Sequence, residues 1–207
     1  MKGAADARTV WLIRHAESEW NAAGRWQGQR DPALSERGRE QAQRLAATLA
    51  DAQLDAIVAS DLRRARETAA IVGGALGVEP HFDGRLRERD LGYWSGLTSV
   101  EIVARWPRDL ARLRERDPEL QPGGGESLRA LHARVAEFVA VLSAWPGDGP
   151  LAIVTHAGIL RALGITPTPA NAAARSVSIA ALRRAIATGA AMRPATGART
   201  SDEEERR

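Results

Sequence analysis

Thr9-Val10-Trp11-Leu12-Ile13-Arg14-His15 is an apolar, β-branched run that stops abruptly at two residues suited to chemistry. A short, uninterrupted apolar stretch of this kind is what a strand buried on both faces of a parallel sheet requires. Two further runs repeat the pattern: Ala56 to Ala59 ends at Ser60-Asp61 with Arg63 just beyond, and Leu151 to Thr155 ends at His156.

Between these runs the apolar period changes to that of a helix. Ser35 is placed to cap a helix from Glu36 to about Ala50, with Ala42, Leu45, Ala46 and Leu49 on one face. A second helix carries Ala65, Ala69, Val72 and Leu76 as a stripe and stops at Gly77. A third runs from Glu126 to about Ala144 with Leu128, Leu131, Val135, Phe138 and Leu142 in register, and Pro146 to Pro150 breaks it. A short helix is expected from His156 through Leu163, and Ser176 to Leu182 reads as a final strand. Strands alternating with amphipathic helices define an α/β fold with a largely parallel central sheet. Ligands of such sheets lie beyond the carboxyl ends of the strands. All three apolar runs end there in reactive side chains.

Residues 1–186 read as a single domain. From about Ala187 the chain turns to Ala, Gly, Thr and Arg and closes on Ser-Asp-Glu-Glu-Glu-Arg-Arg, so 187–207 is expected to be a disordered tail. The middle, from about Glu79 to Gly125, is less regular, with a short helical stretch near 99 to 106; insertions of this type shape substrate pockets.

Composition bounds the rest. The 207 residues are 44% hydrophobic and 27% charged and contain no cysteine, which excludes disulfides, thiolate nucleophiles and Cys-ligated zinc. Met1 to Arg8 lacks the apolar run of a secretory signal and no stretch approaches ~18 continuous apolar residues, so a cytoplasmic protein without membrane contact is expected. Of the 29 basic residues 28 are Arg, but they alternate with Glu and Asp and aromatics make up only 4%, a pattern that argues against nucleic-acid binding. A monomer or homodimer acting on a small molecule fits best.

The residues at the strand ends suit phosphoryl transfer. Phosphate monoester hydrolysis is accelerated by factors up to about 10²¹, so the site needs an in-line nucleophile, fixed cationic donors and a proton donor for the leaving oxygen. A neutral imidazole attacks phosphorus and also leaves when water arrives, which makes His15 the candidate nucleophile. Arg14 and Arg63 offer forked donors to the phosphoryl oxygens, and His156 is expected as a cationic donor to the same group. The acid that protonates the leaving oxygen and then activates water is assigned to Glu88, although spacing alone leaves Asp90 and Glu101 open. His81 and His132 read as structural, Arg64 and Arg66 as solvated, and Trp94, Trp106 and Trp145 as packing residues.

Leu12-Ile-Arg-His-Ala-Glu-Ser-Glu-Trp-Asn21 resembles the signature of the histidine phosphatase (phosphoglycerate mutase-like) superfamily. Further segments match in the family's order: Gln27-Gly28 with Asp31-Pro-Ala-Leu-Ser35 and Gly38; Ser60-Asp-Leu-Arg-Arg-Ala65 with Thr68-Ala69; Leu86-Arg-Glu88 with Leu91-Gly-Tyr-Trp-Ser-Gly96; Gly124-Gly-Glu-Ser127; and Val154-Thr-His-Ala-Gly158. The resemblance implies a three-layer α/β/α fold and a phosphohistidine at His15. It further implies phosphate binding by Arg14, Arg63 and His156, ligand contacts from Asn21, Gln27 and Gly28, and Glu88 as proton donor, with neither metal nor cofactor. Ala16 and Ala157 stand where the family often has Gly. The Leu91 to Gly96 segment resembles the phosphatase branch, so hydrolysis of a small phosphorylated metabolite is expected. The alternatives are a 2,3-bisphosphoglycerate-dependent phosphoglycerate mutase using the same His15, and a non-catalytic phosphate-binding or scaffold member.

Overall fold

The computed structural model describes residues 6–189; apart from its first three residues, the expected tail lies outside the described residues. The strands are β1 (Thr9–Arg14), β2 (Ala56–Ala59), β3 (Pro80–Phe82), β4 (Leu151–Thr155) and β5 (Ala174–Ser178). They form one sheet in the order β3-β2-β4-β1-β5, parallel throughout except for β5, which runs antiparallel to β1. The middle strand β4 is buried at every residue, which is why its sequence is apolar without alternation.

The helices are α1 (Glu19–Ala22), α2 (Glu36–Thr48), α3 (Arg63–Leu76), α4 (Ser99–Arg105), α5 (Pro107–Arg114), α6 (Leu128–Val141), α7 (Ala157–Ala162) and α8 (Ile179–Ala187). Alternate strand residues feed two separate cores, giving three layers. Val10, Leu12, Val58 and Ile153 pack with Leu131, Val135 and Phe138 of α6 and with α7 and α8. Ile13, Ile57, Ala59 and Val154 point the other way, onto Leu45 and Leu49 of the α2 region and Ala65, Ala69 and Val72 of α3. Ser35 caps α2 by accepting from the Gly38 N–H at 3.0 Å, and Gly77 ends α3 in the left-handed conformation.

Three elements depart from the sequence reading. The last strand is Ala174–Ser178, not Ser176 to Leu182, because Ser178 turns the chain by capping α8 through the Ala181 N–H at 3.2 Å. Ile179, Leu182 and Ile186 then follow a helical spacing and pack against the sheet. The edge strand β3 and helix α5 were not anticipated. Pro80-His81-Phe82 has no apolar run, and α5 is an eight-residue helix started by Pro107 at its first turn. With α4, α5 forms a small separate cluster around Trp94, Ile102 and Leu110.

Candidate active site

Strand register builds the centre of the site. Arg14 lies opposite Thr155, and Ala59 opposite Val154. The ladders continue one step further, with the His15 N–H donating to Thr155 at 2.8 Å and the Ser60 N–H to Val154 at 3.0 Å. His15, Ser60 and His156 therefore emerge side by side at the carboxyl edge of the sheet, with the two imidazole centroids 5.0 Å apart.

His15 is buried and fixed. Its Nδ1 lies 2.7 Å from the Ala16 carbonyl, a contact that only an Nδ1–H can make, so Nε2 carries the lone pair. Burial above all, then the charges of Arg64 and Arg14, hold its pKa well below the usual value of 6.5 against the opposing hydrogen bond to Ala16. The His15 ring is thus neutral at pH 7. His156 is fully covered, with Nε2 2.8 Å from Ser60 Oγ and Nδ1 buried without a partner. Burial, then Arg64 and His15, push its pKa well down too, so the cation expected at this position is a neutral ring in the unliganded protein.

The arginine assignment is corrected. Arg63 lies on the outer side of α3, its side chain 56% exposed and bound to Glu67 at 2.6 Å. Arg64, read as solvated, is the buried one. Its Nε is 3.3 Å from His15 Nε2, while its terminal nitrogens donate to the Arg30 carbonyl at 2.8 Å and the Gly28 carbonyl at 2.9 Å. The helical stripe held the signal: Arg63 precedes Ala65 by two residues, about 200° around the helix, whereas Arg64 is four before buried Thr68 and shares its face. Burial lowers the Arg64 pKa to about 10, and Glu88 and Asp31 oppose the shift, so it remains a cation near neutrality. Arg14 donates to the Pro169 carbonyl at 3.1 Å, and its Nε is buried and unpaired.

Glu88 arrives from the opposite rim, on a segment that two arginines strap down. Arg134 holds the Glu126 carboxylate at 2.7 Å and the Arg85 and Arg87 carbonyls at 2.6 and 2.9 Å; Arg89 donates to the Glu126 and Leu120 carbonyls. The Glu88 carboxyl accepts the Arg89 N–H at 2.8 Å on one oxygen and the Gly158 N–H at 3.0 Å on the other. A Cβ on Gly158 would meet that carboxyl, so a larger residue here would displace the Glu88 side chain from its N–H anchor.

Asn21 and Gln27 both turn their side-chain oxygens to Ser18: its N–H donates to Asn21 at 3.1 Å and its Oγ to Gln27 at 2.8 Å. Their amide NH₂ groups are left for the pocket, which both residues line. Asn171, which the sequence did not single out, donates to the His15 carbonyl at 2.9 Å and secures the His15 backbone. The pocket has a volume of about 670 Å³ and is lined by Arg14, His15, Asn21, Gln27, Gly28, Arg64 and Glu88, together with an apolar wall that includes Leu91, Leu110, Leu113 and Leu131. His156 lies behind His15 instead of in this lining. Among the described residues no group of three or more His, Asp or Glu side chains is arranged to hold a metal ion, and no helix is long and apolar enough to cross a membrane.

A paired-histidine, arginine-lined site at the carboxyl edge of this sheet defines a phosphoryl-transfer class. The sequence model of the histidine phosphatase superfamily (branch 1) matches residues 10–175, and the chain belongs to that family. It is 39% identical over 152 residues to phosphoserine phosphatase 1 of Hydrogenobacter thermophilus, covering 73% of this chain and 72% of that one. Glucosyl-3-phosphoglycerate phosphatase of Mycobacterium tuberculosis is 42% identical over 165 residues, covering 76% and 74%. Among solved structures, a mycobacterial glucosyl-3-phosphoglycerate phosphatase complexed with VO3 superposes with a TM-score of 0.76 at 38% identity, over 83% of this chain and 93% of that one. The alpha-ribazole phosphatase of Shigella flexneri superposes with a TM-score of 0.73 at 27% identity, over 82% and 90%.

Proposed function

We propose that the protein is a phosphomonoesterase for a small phosphorylated metabolite, working through a phosphohistidine on His15. The observation that carries this reading is the His15 tautomer: Nδ1 is committed to the Ala16 carbonyl, and Nε2 is unprotonated beside the Arg64 guanidinium. In the first step Nε2 bonds to phosphorus, the ester P–O bond breaks, and Glu88 passes its proton to the leaving oxygen. In the second, water attacks phosphorus, Glu88 takes the proton, and the N–P bond breaks to release inorganic phosphate. Arg14 and Arg64 bind the equatorial oxygens, and a dianion at His15 favours the protonated form of His156, whose ring centroid lies 5.0 Å from that of His15. Relatives named as phosphatases support this assignment. A cytoplasmic setting is in keeping with the cysteine-free sequence.

The test is a panel of phosphomonoesters, including 3-phosphoglycerate with and without 2,3-bisphosphoglycerate, followed for phosphate release and 2-phosphoglycerate formation together. Phosphate release without isomerisation supports the hydrolase. Bisphosphoglycerate-dependent isomerisation makes the protein a mutase, an activity that relatives 35% identical over comparable lengths carry in their names. His15→Ala should lose on the order of 10³- to 10⁶-fold in kcat and fail to form an acid-labile, alkali-stable phosphoryl label. Glu88→Gln should slow esters with poor leaving groups far more than activated aryl esters.

A further inference from the structure

Where β1 ends, Arg14 and His15 are gripped by one distant segment, residues 169–173, which leads from α7 into β5. The Arg14 N–H donates to the Ala173 carbonyl at 3.2 Å, and the Ala172 N–H returns to the Arg14 carbonyl at 3.0 Å and the His15 carbonyl at 3.3 Å. The Arg14 guanidinium donates to the Pro169 carbonyl at 3.1 Å, and the Asn171 amide to the His15 carbonyl at 2.9 Å. Ala172 makes its contacts at φ 57°, a left-handed conformation that a residue with a Cβ rarely adopts. Those same bonds hold the strained backbone in place.

The grip falls on a peptide that governs the imidazole. The His15–Ala16 peptide has its carbonyl on Asn171 and its N–H on Thr68 Oγ1 at 3.0 Å, and Thr68 in turn donates to the Arg64 carbonyl at 2.7 Å. The carbonyl that holds His15 Nδ1, that of Ala16, lies just beyond this peptide. Turning the peptide plane would carry that carbonyl away from the ring and swing Nε2 off its line. Asn171 Nδ2 also lies 3.4 Å from Asn21 Oδ1, which the Ser18 N–H already engages at 3.1 Å. An amide nitrogen has two hydrogens, so one side chain serves both acceptors, and the Asn21 NH₂ is kept for the pocket. Asn171 itself is half-buried and stands outside the pocket lining, so it acts through these partners and not on a bound ester.

We infer that Asn171 is a positioning residue for phosphoryl transfer: working against Thr68, it locks the His15–Ala16 peptide so that Nε2 stays in line with phosphorus, and it keeps the Asn21 amide turned to the pocket. The inference rests on the phosphomonoesterase reading above. Misplacing a reacting atom by about 1 Å costs on the order of 10²-fold in rate, so Asn171→Ala should lower kcat/KM by about 10- to 100-fold. Attack on phosphorus is common to every ester, so the loss should be alike for p-nitrophenyl phosphate and glycerol 3-phosphate. Glu88→Gln, by contrast, separates the two.

The experiment compares the wild type with Asn171→Ala and with Asn171→Leu, which removes the donor but keeps the volume. Neither adds a charge, and a melting curve for each establishes folding. Beside kcat/KM on the two esters, it measures competitive inhibition by orthovanadate and by inorganic phosphate. Vanadate accepts a fifth ligand in line, as the transition state does, whereas phosphate needs only the anion-binding arginines. The expected result is an equal loss on both esters, with vanadate affinity falling at least about tenfold more than phosphate affinity. A merely structural role would weaken the two inhibitors together. Rates within about twofold of the wild type, a loss confined to glycerol 3-phosphate, or equal weakening of vanadate and phosphate overturns the inference. If Asn171→Ala fails to fold, Asn171→Leu carries the same readouts, and loss of folding in both makes the role structural and overturns it as well. A wild type that neither hydrolyses an ester nor binds vanadate overturns the phosphomonoesterase reading and this inference with it; an active wild type with unaffected variants overturns the inference alone.

Discussion

Replacing Arg64 and Arg63 in parallel separates the two arginines that the sequence places side by side. Arg64 makes three contacts, to His15 Nε2, the Arg30 carbonyl and the Gly28 carbonyl, while Arg63 makes an exposed ion pair with Glu67. Loss of a preorganised donor to the phosphoryl group costs about 10²- to 10³-fold in rate, so Arg64→Ala should lower kcat/KM for p-nitrophenyl phosphate by at least that factor. The effect on stability is a balance. Two carbonyls lose their donor, the buried one of Gly28 and the partly buried one of Arg30, at up to about 1–3 kcal/mol each. Against this, removing a guanidinium whose pKa burial has lowered to about 10 relieves on the order of 3 kcal/mol. The net change should stay within about 3 kcal/mol, leaving the variant folded and inactive. Arg64→Lys should not restore the rate, because one ammonium cannot reproduce the fork that reaches both carbonyls. Arg63→Ala should retain activity within about twofold, as exposed ion pairs contribute little. The assay is steady-state kinetics beside a thermal melt for each protein. Activity lost at Arg63 and kept at Arg64 would refute the placement of the helix face and the assignment together.

The buried histidines set a pH dependence. His15, His132 and His156 all have lowered pKa values in the folded protein, while the unfolded chain titrates near about 6.5, so on acidification the unfolded state takes up protons first and stability falls below that pH; a melting temperature that is flat from pH 7 to 5 would contradict this. Gly158→Ala forces the Glu88 carboxyl off its N–H anchor, and kcat on poor leaving groups should drop about 10²-fold, the scale of general acid catalysis; wild-type kinetics in this variant would show that Glu88 does not need that anchor. Arg8 ties the start of β1 to the Trp145, Pro146 and Gly149 carbonyls, so Arg8→Ala should cost about 2–4 kcal/mol by chemical denaturation with kcat unchanged at low temperature.

The elements whose residues face one uniform environment were legible in the sequence. β2 and β4 are buried at every residue and β1 at Val10, Leu12 and Ile13, and their apolar runs end at or next to the strand ends. Helices α2, α3 and α6 carry full stripes. What escaped was decided by a single residue or by tertiary partners. Ser178 interrupts a strand-like alternation by capping a helix, β3 forms by pairing with β2 at an edge, and α5 is too short to display a stripe. At the site, the strand-end histidines followed from pattern alone. Arg64 was missed because an Arg reads as solvated until its position on the helix is compared with Thr68. Asn171 contacts His15 across 156 residues of chain, and no local pattern announces such a contact.

The separate packing of the inserted segment has an engineering consequence. Trp94, Ile102 and Leu110 pack with Trp26, Leu91, Leu97, Trp106 and Leu113 and share no residue with the clusters on either face of the sheet. The far wall of the pocket is thus a cassette with its own interior. Its ties to the scaffold include the Trp26 N–H on the Leu97 carbonyl at 2.9 Å, the Trp26 indole N–H on Ser99 Oγ at 2.9 Å, the Arg129 N–H on the Pro118 carbonyl at 3.0 Å and the Arg89 guanidinium on the Leu120 carbonyl at 2.6 Å. Residues 97–120 are therefore the natural unit to exchange when selectivity is to be redrawn, since the strand register that aligns His15 with His156 does not pass through them.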